Sequence, residues 1–237
     1  MKPYLVFVAV AFAALPTLAQ AQLIGSAEDV QIRSVDFNSQ VLELFNFGSS
    51  SLDLDGWRFC THDEVDGFDY TSSSGLNGVS LAAGSSLSIH WNDDASGPNA
   101  INVSSLGGAW IDDLSVDDTG DGISLGLYRS GPFGNSDNLI DHVQYSFDGA
   151  NIGGSANPRV TVAVNAGLWG NTADWISVDE SSNNLVLVDD PFPGANSETH
   201  TSSSYSVNVA VPEPSAMLVL SLGFAAISIR RRRVSQI

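Results

Sequence analysis

The sequence predicts an all-β protein, an antiparallel sandwich or barrel held between two short apolar ends. Three observations carry that prediction. Short apolar segments recur between clusters of Gly, Ser, Asn and Asp, the pattern of strands separated by turns. Between Gln22 and Val211 no 12-residue stretch keeps a helical period without a Gly or a polar turn cluster breaking it, so neither a helical nor a doubly wound fold has the helices it needs. The stretch between the two ends, about 190 residues, is long enough for one sizeable core.

In chain order, the first element is a signal helix over residues 1–21. Lys2 precedes an apolar run from Leu5 to Leu15, then Pro16, then Ala19-Gln20-Ala21. Small residues at Ala19 and Ala21 suit a signal peptidase, and cleavage after Ala21 starts the working protein near Gln22. The strands then follow as VQIRSVDF, VLELFNF, GWRFC, SLSIHW, ISLGLY, LIDHVQYSF, RVTVAV and LVLV. Within GWRFC, Gly56 before Trp57 fits a tight turn that delivers a large indole between two sheets. Trp57, Leu42 and Leu44 are the predicted core. Residues 197–211 are rich in Ser and Thr with little to bury, and predict a flexible linker. The last element, in 212–237, is an apolar run of 14 residues from Ala216 to Ile229 followed by four arginines, Arg230 to Arg233. As a helix at ~1.5 Å per residue it reaches about 21 Å, short of a hydrocarbon core of roughly 30 Å. The arginines favour the cytoplasmic side and leave everything before the helix outside.

Without its two ends the chain keeps Arg33, Arg58, Arg129 and Arg159 against 26 acidic side chains, a formal net charge of −22. Such a field repels phosphate backbones and excludes nucleic acid as a partner, while it attracts divalent cations and basic partners. Cys60 is the single cysteine, so neither an intramolecular disulfide nor a Cys-based metal site is available. Beside Phe59 in an apolar strand it reads as a small buried hydrophobe.

Two stretches resemble known families. Pro212-Glu213-Pro214, a short apolar helix and an arginine cluster together resemble a PEP-CTERM sorting signal. The resemblance implies recognition by an exosortase, a membrane transpeptidase-like enzyme of Gram-negative bacteria that make exopolysaccharide, with loss of the helix. The chain is then anchored in the inner membrane only transiently and reaches the cell surface or extracellular matrix. The body, 22–196, resembles a lamin-tail domain, an immunoglobulin-like antiparallel sandwich. The matching residues are Leu42-Glu43-Leu44-Phe45-Asn46, Leu52-Asp53-Leu54-Asp55-Gly56-Trp57, Leu81-Ala82-Ala83-Gly84, Gly120-Asp121-Gly122-Ile123-Ser124-Leu125 and Leu139-Ile140-Asp141-His142-Val143. The match is best over 28–147; 148–196 are expected to supply closing strands and loops.

For chemistry the richest segment is the acidic loop from Asp112 to Gly122. Asp117, Thr119, Asp121 and Gly122 repeat positions one, three, five and six of a calcium-binding EF-hand loop, but position twelve falls on Tyr128 and not on a Glu. Asp117, Thr119 and Asp121 are therefore the candidate calcium ligands, and calcium is the one cofactor the sequence suggests. Asp63, Glu64, Asp66 and Asp69 read as a solvated loop. Glu43, between apolar neighbours in a strand, either faces solvent or is buried and hydrogen-bonded. No Gly-x-Ser-x-Gly, His-Glu-x-x-His or phosphate loop occurs. His62, His90, His142 and His200 are scattered, and Asp141 and His142 on one strand point to opposite faces. The expectation is a non-catalytic exported surface or matrix protein, with exopolysaccharide or another surface protein as partner. A secreted hydrolase, metal-assisted through the acidic loops, is the alternative.

Overall fold

Residues 29–63, 67–116, 122–152, 158–188 and 199–209 are described by the computed structural model; the two terminal helices expected from the sequence lie outside them. Within the described residues the chain is mostly β. β1 (Val30–Asp36) and β2 (Val41–Asn46) pair as an antiparallel hairpin, and the pairing slips by one residue at Arg33. The two-residue β3 (Leu52–Asp53) leads into the turn at Gly56, whose φ of +81° suits glycine, and then into β4 (Arg58–Asp63). After β5 (Gly67–Tyr70) and β6 (Ser80–Leu81) come β7 (Ser86–His90) and β8 (Ala100–Asn102). The long strands β9 (Gly122–Tyr128) and β10 (Leu139–Phe147) follow, then helix α1 (Pro158–Asn165), β11 (Ile176–Val178), β12 (Ser182–Leu187) and β13 (Tyr205–Val209).

These strands form a six-stranded sheet in the order β13-β12-β1-β2-β7-β8, a five-stranded sheet in the order β11-β10-β9-β4-β5, and the small pair β3-β6. Both large sheets are mixed. Each is antiparallel except at one edge, where β8 lies parallel to β7 and β11 parallel to β10, which corrects the expectation of purely antiparallel sheets. Parallel neighbours need a crossover where antiparallel ones need only a turn, and the long connection from β10 to β11 is such a crossover. It carries α1.

That helix corrects a second expectation, since the sequence predicts a strand over RVTVAV. Its valines favour strands locally, but Val160 and Ala163 fall three apart on one face, and both are fully buried. Pro158 suits the first helical position. At the other end Leu168 N–H donates to Ala163 C=O and Gly167 N–H to Val164 C=O, with Gly167 at φ +76°, which is a Schellman closure. So short a helix is held by the face it buries, a tertiary term that local propensity does not contain.

One continuous apolar cluster takes side chains from both large sheets. Leu42, Leu44 and Ile89 of the six-stranded sheet and Leu125, Leu127 and Val143 of the five-stranded one are all fully buried, and Trp57 is 6% exposed.

The flexible linker expected over 197–211 is a third correction. Residues 199–209 belong to the folded body: β13 pairs with β12 from Leu187↔Tyr205 to Ser182↔Val209, and His200, Ser204 and Tyr205 are buried. A polar strand of this kind is kept by main-chain pairing and a few buried side chains, which composition does not register. Residues 197, 198, 210 and 211 lie outside the described ones.

Candidate functional site

A buried polar cluster forms where β12 leaves β1. β12 pairs with β1 only from Ser34 to Asp36, after which Val188 N–H turns to Ser204 C=O. The backbone of Ile32 thereby lacks a strand partner on that side, and side chains complete it. Asp141 of β10 accepts the Ile32 N–H through Oδ2, and the Tyr205 hydroxyl donates to Ile32 C=O at 3.3 Å. Buried main-chain groups have to be paired, so these contacts fix both Asp141 and Tyr205.

His200 Nε2 stands 3.7 Å from Asp141 Oδ1, with both side chains almost sealed from solvent. The His200 backbone donates to Leu168 C=O at 3.0 Å and accepts Gly170 N–H at 2.8 Å, a parallel bridge beside Trp169. The Trp169 indole N–H donates to Asp174 C=O at 2.7 Å, and Asp174 Oδ2 accepts Ser202 N–H at 2.9 Å. On the opposite face of β10, His142 Nε2 meets Gln144 Oε1 at 2.9 Å, and Gln144 donates to the same Asp174 carbonyl at 2.8 Å. The rings of His200 and Trp169 both pack against Tyr205. Segment 199–209 is thus tied to β1, β10 and the 168–174 turn at once.

Burial sets the electrostatics. It pushes the Asp141 carboxyl above the usual carboxylate range, opposed by His200 and by backbone N–H groups. It pushes His142 down to about 4, so that this imidazole is neutral at pH 7. The Tyr205 hydroxyl is raised well above its ordinary value by burial, with the Asp141 carboxyl adding to the effect.

An aspartate beside a histidine is two thirds of a nucleophile-activating triad, yet the chemistry stops there. Among the described residues no hydroxyl or thiol is hydrogen-bonded to His200, and Asp141 and His200 are 1% and 2% exposed. A substrate does not reach groups so enclosed. What this cluster does physically is hold the last strand.

The structure places the other residues singled out in the sequence as follows. Glu43 faces outward, where the slip in the β1–β2 pairing aims both Arg33 and Ser34 at it. It accepts from Ser34 Oγ at 3.1 Å and from Ser86 Oγ, and Arg33 Nη1 stands 3.8 Å away while stacking on Phe45. It is a paired surface carboxylate. Cys60 is buried, and burial pushes its thiol up, which makes it unreactive. His62 is buried against Phe68, and burial lowers its basicity. His90 pairs with Asp94 at 2.7 Å on the surface. Asp63 lies at the end of β4 and Asp69 on β5, whereas Glu64 and Asp66 lie outside the described residues. So do the candidate calcium ligands Asp117, Thr119 and Asp121, the signal-cleavage residues Ala19 and Ala21, and Pro212, Glu213 and Pro214. The described shoulder of the acidic loop is pinned to the body. Gln40 Nε2 donates to Asp113 Oδ1 and Ser115 Oγ, both at 2.9 Å, and Gln40 Oε1 accepts Leu114 N–H at 2.8 Å. Among the described residues no three His, Cys, Asp or Glu side chains come together as metal ligands would. Sequence reasoning missed the meeting of Asp141 with His200, since 58 intervening residues and a tail that looked unstructured gave no signal of it.

Residues 210–233 match the PEP-CTERM protein-sorting motif. No curated protein matches the chain. The motif marks the chain as an exported protein that an exosortase processes and that is sorted through the membrane. It begins at the residue after β13, which ends at Val209.

Proposed function

We propose that this is a non-catalytic surface or extracellular-matrix-associated protein, a binding or structural module that is delivered by exosortase processing. The observation that carries the reading is the sorting motif at 210–233, placed directly after the last strand of a β body. Consistent with it, the interior Asp141–His200 couple is sealed from substrate. The body is read as an immunoglobulin-like sandwich of the lamin-tail kind. Support comes from the core shared by the two large sheets and from the Gly56–Trp57 turn, which buries its indole in that core. Such a fold carries no function by itself, so the class rests on the sorting motif and on the inaccessible chemistry. Signal peptidase acts at the N-terminal end, and the membrane holds the chain only until the C-terminal apolar segment is removed.

Glu213→Ala in a host with the cognate exosortase tests the delivery. The prolines flanking Glu213 lack the backbone N–H that a helix needs, and the tripeptide is the distinctive chemistry for a sorting enzyme to read, so the variant is expected to be exported but trapped as a longer, membrane-bound form. A parental mature mass in the parental cell fraction refutes it. Turnover of glycan, phosphoester or peptide panels by the mature protein, abolished by chelator, replaces the non-catalytic reading with a metal-assisted hydrolase.

A further inference from the structure

Arg58 is one of only four basic residues in a body of formal charge −22, yet among the described residues no carboxylate pairs with it. Among the described residues its side chain makes no ion pair and no hydrogen bond, and its Nε is buried without a partner. Its contacts are aromatic. The guanidinium lies over the Phe133 ring, 4.8 Å from its centre, and rests so closely on Gly131 that a Cβ there would stand 2.5 Å from Nη2. Arg58 pairs in register with Tyr128, whose hydroxyl is likewise buried without a partner and whose ring meets Phe133 edge-on at 5.0 Å. From α1, Arg159 brings a second guanidinium to the same rings, 4.8 Å from the centre of Phe68 and 5.6 Å from that of Phe133. Tyr70 meets Phe133 at 5.5 Å, and Tyr70 and Phe68 are 54% and 39% exposed.

An acidic protein has every means to pair an arginine with its own carboxylates. Here the guanidinium is stacked on a ring instead, which leaves the fork of a half-buried arginine for an oxyanion from outside. Exposed aromatic rings beside it add flat apolar surface of the kind enriched at recognition sites. An added peptide strand is the less suitable occupant. Beside Tyr70 the sheet edge is already closed, since Tyr70 C=O accepts Ala109 N–H at 3.0 Å and Ser72 N–H donates to Gly107 C=O at 2.9 Å. What docks must use side chains. A sugar ring presents C–H faces to stack on rings and, if it is a uronate, a carboxylate for the guanidinium.

The geometry points to a binding site for carboxylate-bearing sugar units of a glycan, in which Arg58 takes the carboxylate and Tyr70 and Phe68 stack on the ring. It rests on the binding-module reading above and names its ligand class. Arg58 makes this spot a local exception to the acidic surroundings, and charge complementarity there sets specificity.

The mature protein is titrated calorimetrically with an oligogalacturonate, with a neutral oligoglucan and with a short polyglutamate peptide. The expected result is binding of the galacturonate alone, weakened by salt. Arg58→Gln and Tyr70→Ala are each expected to lose at least about tenfold in affinity, which corresponds to about 1.4 kcal/mol, with parental melting. Tyr70 is so exposed that its variant keeps the test valid if Arg58→Gln fails to fold. Absence of galacturonate binding, equal binding of the neutral glycan, or parental affinity in Tyr70→Ala overturns the site and leaves the non-catalytic reading standing. Binding of the peptide alone also overturns it, in favour of a protein partner. Release of new reducing ends from the oligosaccharide refutes the non-catalytic reading itself.

Discussion

Replacing Asp141 by alanine removes the group that finishes the β1 ladder at Ile32. The Ile32 N–H is then buried with no acceptor, since the position is fully enclosed and β12 has already turned away. An orphaned buried donor costs about 1–3 kcal/mol, and the space left by the carboxyl adds roughly 1 kcal/mol. The expected loss is about 2–4 kcal/mol, a large fraction of a typical total of roughly 5–15 kcal/mol. Asp141→Asn keeps an acceptor for Ile32 and is expected to lose under about 1 kcal/mol, so the difference between the two variants isolates the orphaned N–H. Urea unfolding of the mature protein reads both, as a shift in midpoint with an unchanged slope. Amide exchange supplies a local check. Segment 199–209 is tied in through His200, Ser202 and Tyr205, so its amides lose protection before those of β9 in the Ala variant. An Asp141→Ala midpoint indistinguishable from the parent, with β13 protection intact, refutes the assignment of Asp141 as the fastening of the last strand.

The two buried groups of β10 act oppositely on the pH dependence of stability. His142 is pushed down to about 4 from an ordinary value near 6.5, so its contribution is present above about 6.5 and lost as pH falls toward 4. Asp141 is pushed up, so its contribution is present below about 3.9 and lost as pH rises through its folded value. His142→Gln therefore flattens the rise in stability between about pH 4 and 6.5 and Asp141→Asn steepens it; unfolding midpoints across that range that do not differ from the parent contradict both. Trp57→Ala empties a nearly sealed site in the core and is expected to cost about 3–5 kcal/mol; a melting curve within a degree of the parent removes the indole from that role. If Asp117, Thr119 and Asp121 hold calcium, the ion at about 100 times its dissociation constant adds about 2.7 kcal/mol. Asp121→Asn abolishes most of that gain, and equal melting in calcium and in chelator shows that the loop binds none.

Much of the β content was legible in the sequence. The segments VQIRSVDF, VLELFNF, SLSIHW, ISLGLY and LIDHVQYSF coincide with β1, β2, β7, β9 and β10. β2 and β7 alternate between buried and half-buried positions, whereas β9 and β10 are buried on both faces; both kinds show as short apolar segments bounded by Gly, Asn and Asp. The sorting motif was legible for another reason. A signal read as a linear segment keeps its whole meaning in consecutive residues, and residues 210–233 carry it.

What the sequence determined by itself, then, was the strand-rich body, its acidic charge and its exported route. Tertiary structure decided the rest. RVTVAV is a helix because Val160 and Ala163 meet a buried face, and the Ser/Thr-rich tail is a strand because β12 offers it a partner and Ile32 a place for Tyr205. Asp141 meets His200, and Arg58 stacks on Phe133, through contacts between residues far apart in the chain. The physical reason is common to all four. Pairing, burial and desolvation depend on what lies across a contact, and a local pattern records only what lies along the chain.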